Sequence, residues 1–326
     1  MGKCTIPEDK LLAYLSLLCA ASQHYDATHG ELLMPGFSHD QLTRFLAGDW
    51  SSDELVLAAA HAEGVDWSLG WFGLDDTIGE KPYGPCIEGV YTVWSAKHDR
   101  YVRGITVVTL IWTDGTRTIP LGFRVWHKEG EGRTYKTKLE LAKDLLRLAK
   151  QHGIWTSMIV FDSWYAAADF MRWCDRKQLT WVTRLKKNRL VKNQADWVPL
   201  EDLALFRKCW NMPLKEVGLV RIIKEGDRFY ATNRLDWDRQ TIVQAIRDRW
   251  PVERVYADTK DHLGFERCQA RKLRSQEHHI ACVLVAYLLL QDPTDRRSIE
   301  GMKHAVQWHL FKMKPRIHPV LNRLTA

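Results

Sequence analysis

Two aspartates stand where apolar runs give way to polar residues. One lies in Trp71-Phe72-Gly73-Leu74-Asp75-Asp76-Thr77, the other in Met158-Ile159-Val160-Phe161-Asp162-Ser163-Trp164. In an open α/β sheet, ligands gather outside the carboxyl ends of strands, so a carboxylate there is rigidly held yet faces out of the core. A third acid, Glu253, follows Ile246 and Arg249 and precedes Lys260. Offsets of 0, 3, 7 and 14 residues keep the four near one face of a helix, one carboxylate flanked by two cations. Pro251 within that stretch removes a backbone donor and should kink or restart the helix. Taken singly, each aspartate reads equally well as a turn or cap residue, and the helix as a solvated one with ion pairs.

The elements that must position these acids follow from periodicity. Residues 71–74, 89–94, 105–112 and 119–126 are short β-rich segments, with a turn at Asp114-Gly115. Lys138–Lys150 has helical apolar spacing, and 158–161 is an apolar run suited to a strand buried on both faces. A helix over 166–175 and a strand over 180–184 come next, and Asp238 is placed to cap a helix starting near Thr241. Strands first, then alternating helix and strand, imply an α/β fold with a mixed sheet covered by helices. Residues 188–235 interrupt the rhythm and read as an inserted, partly β subdomain.

Residues 1–65 read as a separate helical domain. Leu11, Leu12, Tyr14, Leu15 and Leu18 recur at helical spacing, Ser38 precedes a short helix through Leu42, Phe45 and Leu46, and Ser51 or Ser52 starts another. Short helices with tight turns resemble a helix-turn-helix with His39, Gln41, Thr43 and Arg44 outward; a plain helical bundle fits the same pattern. Residues 291–326 form a C-terminal tail.

The ordered set of motifs resembles the DDE transposases of bacterial insertion sequences, in the group marked by Tyr-x2-Arg-x3-Glu-x6-Lys. Carrying the likeness are Ser38-His39-Asp40 with Leu42-Thr43-Arg44-Phe45-Leu46, Asp75-Asp76-Thr77-Ile78 with Glu80-Lys81, the strand ending at Asp162, Leu185-Lys186 with Asn188-Arg189, and Arg249-Trp250 with Glu253 and Lys260. The likeness runs from about residue 35 to 290. Ile246 stands where that group usually has tyrosine. The resemblance implies a ribonuclease-H-like catalytic domain over residues 66–290, interrupted by the insertion, with Asp75, Asp162 and Glu253 as catalytic and metal-binding triad. Two Mg²⁺ ions, with Mn²⁺ as substitute, would clamp both oxygens of an in-line displacement roughly 4 Å apart. The implied reaction is cleavage at the ends of a mobile element and strand transfer into target DNA, by a homodimer on double-stranded DNA. An inactive DNA-binding relative, or a nuclease without strand joining, remain the rival readings.

By analogy and charge, Arg249 and Lys260 are expected to bind phosphate beside the cut. Arg184, Lys186, Lys187, Arg189 and Lys192 form a basic run able to follow a DNA backbone. Since related transposases stack a flipped base on an aromatic of the insertion, Trp210 and Trp237 are candidates here. His278-His279 is expected on a helix surface or in local packing. The chain's 326 residues, 45% hydrophobic and 27% charged, support a sizeable core, and a formal charge of +7 has the sign of a phosphate partner. Seven scattered cysteines without a CxxC pair point to reduced thiols in a cytosolic, nucleoid-associated protein with no membrane role.

Overall fold

The computed structural model describes residues 6–21, 36–84, 86–95, 98–130, 134–203, 209–247, 250–291 and 297–312. Its strands are β1 (Trp71–Glu80), β2 (Tyr91–Ser95), β3 (Arg100–Thr113), β4 (Thr118–Val125), β5 (Met158–Phe161), β6 (Thr180–Leu185), β7 (Leu190–Asn193), β8 (Asp196–Pro199), β9 (Cys209–Leu214), β10 (Gly218–Glu225) and β11 (Arg228–Thr232). All eleven join one mixed sheet. Antiparallel β3 borders β1 along its length and is flanked on its other side by β2 and β4. β5 and β6 then run parallel to β1. The strands between residues 190 and 232 are β-rich as expected, and they continue the sheet: β11 pairs with β6, then β10, β9, β7 and β8 follow.

The helices are α1 (Glu8–Ala20), α2 (His39–Ala47), α3 (Ser52–Ala62), α4 (Lys138–Gln151), α5 (Ala168–Arg176), α6 (Arg239–Arg247), α7 (Trp250–His262), α8 (Leu273–Leu289) and α9 (Ile299–Lys312). Caps set several starts. Ser38 accepts from Gln41 N–H while the Gln41 side chain accepts from Ser38 N–H, and Thr137 and Glu140 repeat the box at α4. Asp238 accepts from Thr241 N–H at 2.7 Å, as its position in the sequence suggests.

Alternation along β1 and β5 divides the core. Phe72, Leu74, Ile159 and Phe161 face α4 and α5 in one cluster with Leu141, Leu145 and Phe170. Val160 and Val182 face the other way, under Ile242 and Ala245 of α6. α7 lies on that second face: a Cβ at Gly73 would stand 3.8 Å from Val252 and 2.8 Å from Ile111, so only glycine admits this close approach. The N-terminal helices share their core with the rest of the chain. Leu17, Leu18, Leu42, Phe45 and Val56 pack with Ala281, Leu284 and Val285 of α8. The tail region carries α9, whose Gln307 donates to the carbonyl of Ala20 at 3.0 Å.

The histidine pair departs from expectation. His278 and His279 are both buried. His279 Nδ1 meets the Tyr14 hydroxyl at 2.8 Å and Nε2 meets the Gly264 carbonyl at 2.9 Å. His278 stacks on Trp50 with its nitrogens on the carbonyls of Leu46 and Trp50. Their role is to satisfy buried polar groups where α1, α2 and α8 meet, a long-range contact that sequence spacing cannot show.

Candidate active site

β1 does not stop before its acids, as the sequence suggests, but runs on to Glu80, because long β3 supplies partners throughout: Asp75 lies opposite Thr109 and Asp76 opposite Val108. Strand alternation therefore still governs the two acids and sends them to opposite faces. Asp75 shares the Gly73 face, beneath α7. The parallel register pairs Leu74 with Phe161, so Asp75 and Asp162 each follow a paired residue by one position, Asp162 just past the end of β5. Both line an open cleft of about 880 Å³ with Thr77, Lys138, Trp164 and Lys260.

Asp76 takes a different set of partners. Its carboxylate meets Lys138 Nζ at 2.6 Å and accepts from the Tyr165 hydroxyl at 3.0 Å. Asp75 receives Tyr256, whose hydroxyl donates to the Asp75 carbonyl at 2.9 Å. Burial, then the charge of the adjacent aspartate, pushes both phenols well above their usual pKa. Each therefore remains a donor, fixing the strand that carries the acids.

Glu253 sits half-buried in the first turn of α7, one turn before Tyr256 and next to Val252. That places its helix against β1, yet Glu253 is not among the residues lining the cleft. Among the described residues no three His, Cys, Asp or Glu side chains gather as a ready metal cage. The donors nonetheless fit a hard divalent cation in kind: carboxylate oxygens, two lining one cleft and the third on a helix packed over β1.

Lys260 lines the cleft as expected, and its Nζ is also held by the Ile78 carbonyl at 2.6 Å and Glu266 at 3.0 Å. Beside it Lys81 is almost fully buried and donates to the carbonyls of Glu266 and Cys268 at 2.9 and 2.8 Å. Burial lowers its pKa to about 8. These two lysines fasten the loop after α7 to β1. Arg249 lies outside the described residues, between α6, described to Arg247, and α7, described from Trp250.

The other candidates are spread out. Lys186 and Lys187 are exposed beyond β6, with Lys187 Nζ 3.5 Å from Asp227. Arg189 is half-buried and donates to the Ala166 carbonyl at 2.9 Å, a structural anchor. Arg44 is exposed on α2, paired with Asp40 one turn before. Trp210 is half-buried on β9, and Trp237 packs against the cluster under α6 with the Arg234 guanidinium 5.7 Å from its ring. Neither tryptophan lines the cleft. A second, smaller groove of about 220 Å³ shares Asp162 and is lined by Arg184, Arg228, Tyr230 and Arg247. Lys138, Trp164, Arg228 and Arg247 carry no motif of their own, and only the fold brings them beside the acids.

A family model described as a transposase DDE domain matches residues 79–289, well over half of the sequence. The chain belongs to the DDE transposase family. The match includes Asp162, Glu253 and Lys260 and begins four residues after Asp75. No curated protein matches the sequence. In fold, the transposase is similar to the piggyBac transposase in its synaptic complex with hairpin DNA: TM-score 0.53, 12% identity, 93% of this chain and 71% of that one. Membership makes this transposase a metal-dependent phosphodiester-cleaving and transesterifying enzyme. Among the described residues, no helix is long and apolar enough to cross a membrane.

Proposed function

We propose that the transposase cuts double-stranded DNA at the inverted ends of its own mobile element and joins the freed 3′-hydroxyl to target DNA. The observation that supports this reading is that Asp75 and Asp162, each one residue past the paired Leu74 and Phe161, line one cleft beside α7, the helix of Glu253. In this reading Asp75, Asp162 and Glu253 hold two Mg²⁺ ions, or Mn²⁺ in their place. When bound, the metal supplies charge relief on the oxygens of the in-line displacement and activates water or a 3′-hydroxyl.

The chain's own groups do the rest. Tyr256 fixes the backbone at Asp75, and Lys138 with Tyr165 holds Asp76 away from the metal side. Lys260 and Arg249 bind phosphate next to the cut. Arg184, Arg228 and Arg247, which line the groove leading off Asp162, and exposed Lys186 and Lys187 guide the backbone outwards. Arg44 contacts DNA from α2, and Arg189 supports the turn after β6. Trp210 or Trp237 stacks a base of the element end. Residues 1–65 form the end-reading region, 66–290 the catalytic body and 291–326 a C-terminal support, with a homodimer assembling on DNA inside the cell.

The test is incubation of a labelled element end with Mg²⁺ and a supercoiled plasmid. Labelled joined product supports the reading. Metal-dependent nicking without joining makes the protein a nuclease, and binding without nicking makes it a DNA-binding relative.

A further inference from the structure

Beyond the residues that match the family model, α9 brings a buried cation to the helix of Glu253. Lys303 is 4% exposed, and a lysine is seldom buried so deeply unless its ammonium is paired. Its Nζ donates to the carbonyl of His262, the last residue of α7. Burial lowers its pKa to about 8, so it keeps its charge at neutral pH. The titratable side chain that acts on it is Cys19 of α1, whose thiol burial pushes up to about 11 and so keeps neutral.

A cation has most effect at that end of a helix. The last carbonyls lack partners within the helix and form the negative end of its dipole. At the end of α7, the N–H groups of Leu263 and Phe265 return to the Thr259 carbonyl, and the Gly264 carbonyl meets His279. The His262 carbonyl goes to Lys303. One turn further along α9, Gln307 donates to the carbonyl of Ala20, the last residue of α1, at 3.0 Å. One face of α9 thus fastens the C-termini of two helices, and Met302 and Val306 pack against the core they share.

The tie at His262 bears on the acids because α7 moves as a rod. Tyr256 and Lys260 bind its middle to the carbonyls of Asp75 and Ile78, and Lys303 holds its end. Glu253 stands in the first turn of the same helix. Resting on the transposase reading, we infer that Lys303 is a positioning residue for Glu253: by holding the C-terminus of α7, it sets where that carboxylate stands relative to Asp75 and Asp162.

The test uses full-length protein and element-end DNA in Mg²⁺. Single-turnover cleavage at saturating DNA, DNA affinity and amide hydrogen exchange along α7 are recorded for each variant. Lys303→Met fills similar space without the charge. It should slow cleavage about tenfold to hundredfold, the effect of a misplaced catalytic group, and leave affinity within about threefold. Exchange in α7 should quicken while β5 and β6 stay protected. Lys303→Arg, which keeps the charge, should recover most of the rate and the protection. Gln307→Ala cuts the neighbouring tie to α1 and should cleave like wild type. If Lys303→Met does not fold, Lys303→Gln is compared with Lys303→Arg, and the cationic variant should be faster at equal affinity. Wild-type rate and exchange in a folded Lys303→Met, equal slowing by cationic and neutral replacements, or slowing matched by lost affinity overturns the positioning role alone. A wild type that does not cleave DNA overturns the enzyme reading instead, and exchange along α7 then decides whether Lys303 holds that helix.

Discussion

The cleft at Asp75 and the seam between the N-terminal helices and α8 both hold polar side chains against the sheet, but on different terms. In the seam the buried histidines have fixed protein partners: His279 lies between Tyr14 and Gly264, and His278 between Leu46 and Trp50. In the cleft, carboxylates stand without a closed cage, and tryptophans face solvent. A seam of matched groups contributes to stability and specifies how the helices dock. A cleft whose acids outnumber its lysines and arginine favours a cationic ligand. Substitutions in the two places should therefore separate activity from stability.

The largest contrast is expected at Asp75 and Asp162. Asp75→Asn and Asp162→Asn should reduce metal-dependent cleavage to background, with thermal unfolding close to wild type. A thermal midpoint that falls along with activity would place these acids in the same structural class as the seam.

His279→Leu should behave in the opposite sense, lowering folding stability by about 2–4 kcal/mol while the remaining folded protein cleaves normally. It leaves the Tyr14 hydroxyl and Gly264 carbonyl without their partner, at roughly 1–3 kcal/mol each. The histidine also sets a pH window. Burial, then the charge of Lys81, lowers its pKa to about 3. Between that value and 6.5 the unfolded chain binds more protons, so stability rises with pH and is lost on acidification through this window. Denaturant melts at pH 4, 5 and 7 should show a shallower dependence in His279→Leu; an unchanged dependence would mean that His279 is not held neutral.

These contrasts bear on what a linear sequence can reveal. Both aspartates, the strand at 158–161 and the helix at Lys138 are legible, because local alternation and caps decide them. Asp76 bonding to Lys138, 62 residues away, is not, nor is the burial of His279 on Tyr14, 265 residues away. The length of β1 was hidden in its partner, since Asp75-Asp76-Thr77 looks like a turn until β3 is laid beside it. The N-terminal helices read as separable for the same reason. Their apolar faces are plain in the sequence, but α8 as the surface that covers them is not. Removing residues 1–65 would strip Leu17, Leu18, Leu42 and Val56 from α8. At roughly 1.5–3 kcal/mol each, that rivals a net stability of roughly 5–15 kcal/mol. Recognition by this region is better probed by Arg44→Ala on the exposed face than by truncation.

Asp76→Asn sharpens the comparison within the cleft. It weakens the hold on Lys138 and Tyr165 but leaves Asp75 in place, so cleavage should fall about five- to thirtyfold, equivalent to roughly 1–2 kcal/mol. Cleavage that survives Asp75→Asn but vanishes in Asp76→Asn would exchange the roles of the two faces.

The smallest effect belongs to Lys260. Lys260→Ala should lower the slope of log affinity against log salt by about one unit for element-end DNA, as should Arg249→Ala. An unchanged slope in Lys260→Ala would leave that side chain with only its fastening of Ile78 and Glu266.

Glu253 carries the central claim most directly, because its helix packs over Asp75, with the Tyr256 hydroxyl on the Asp75 carbonyl. The measurement is single-turnover cleavage of element-end DNA in Mg²⁺ by Glu253→Gln, with DNA affinity recorded on the same preparation. Glutamine keeps the shape and removes the charge that would hold the metal. Cleavage is expected to disappear with affinity retained. Cleavage at the wild-type rate would contradict a metal site built from Asp75, Asp162 and Glu253.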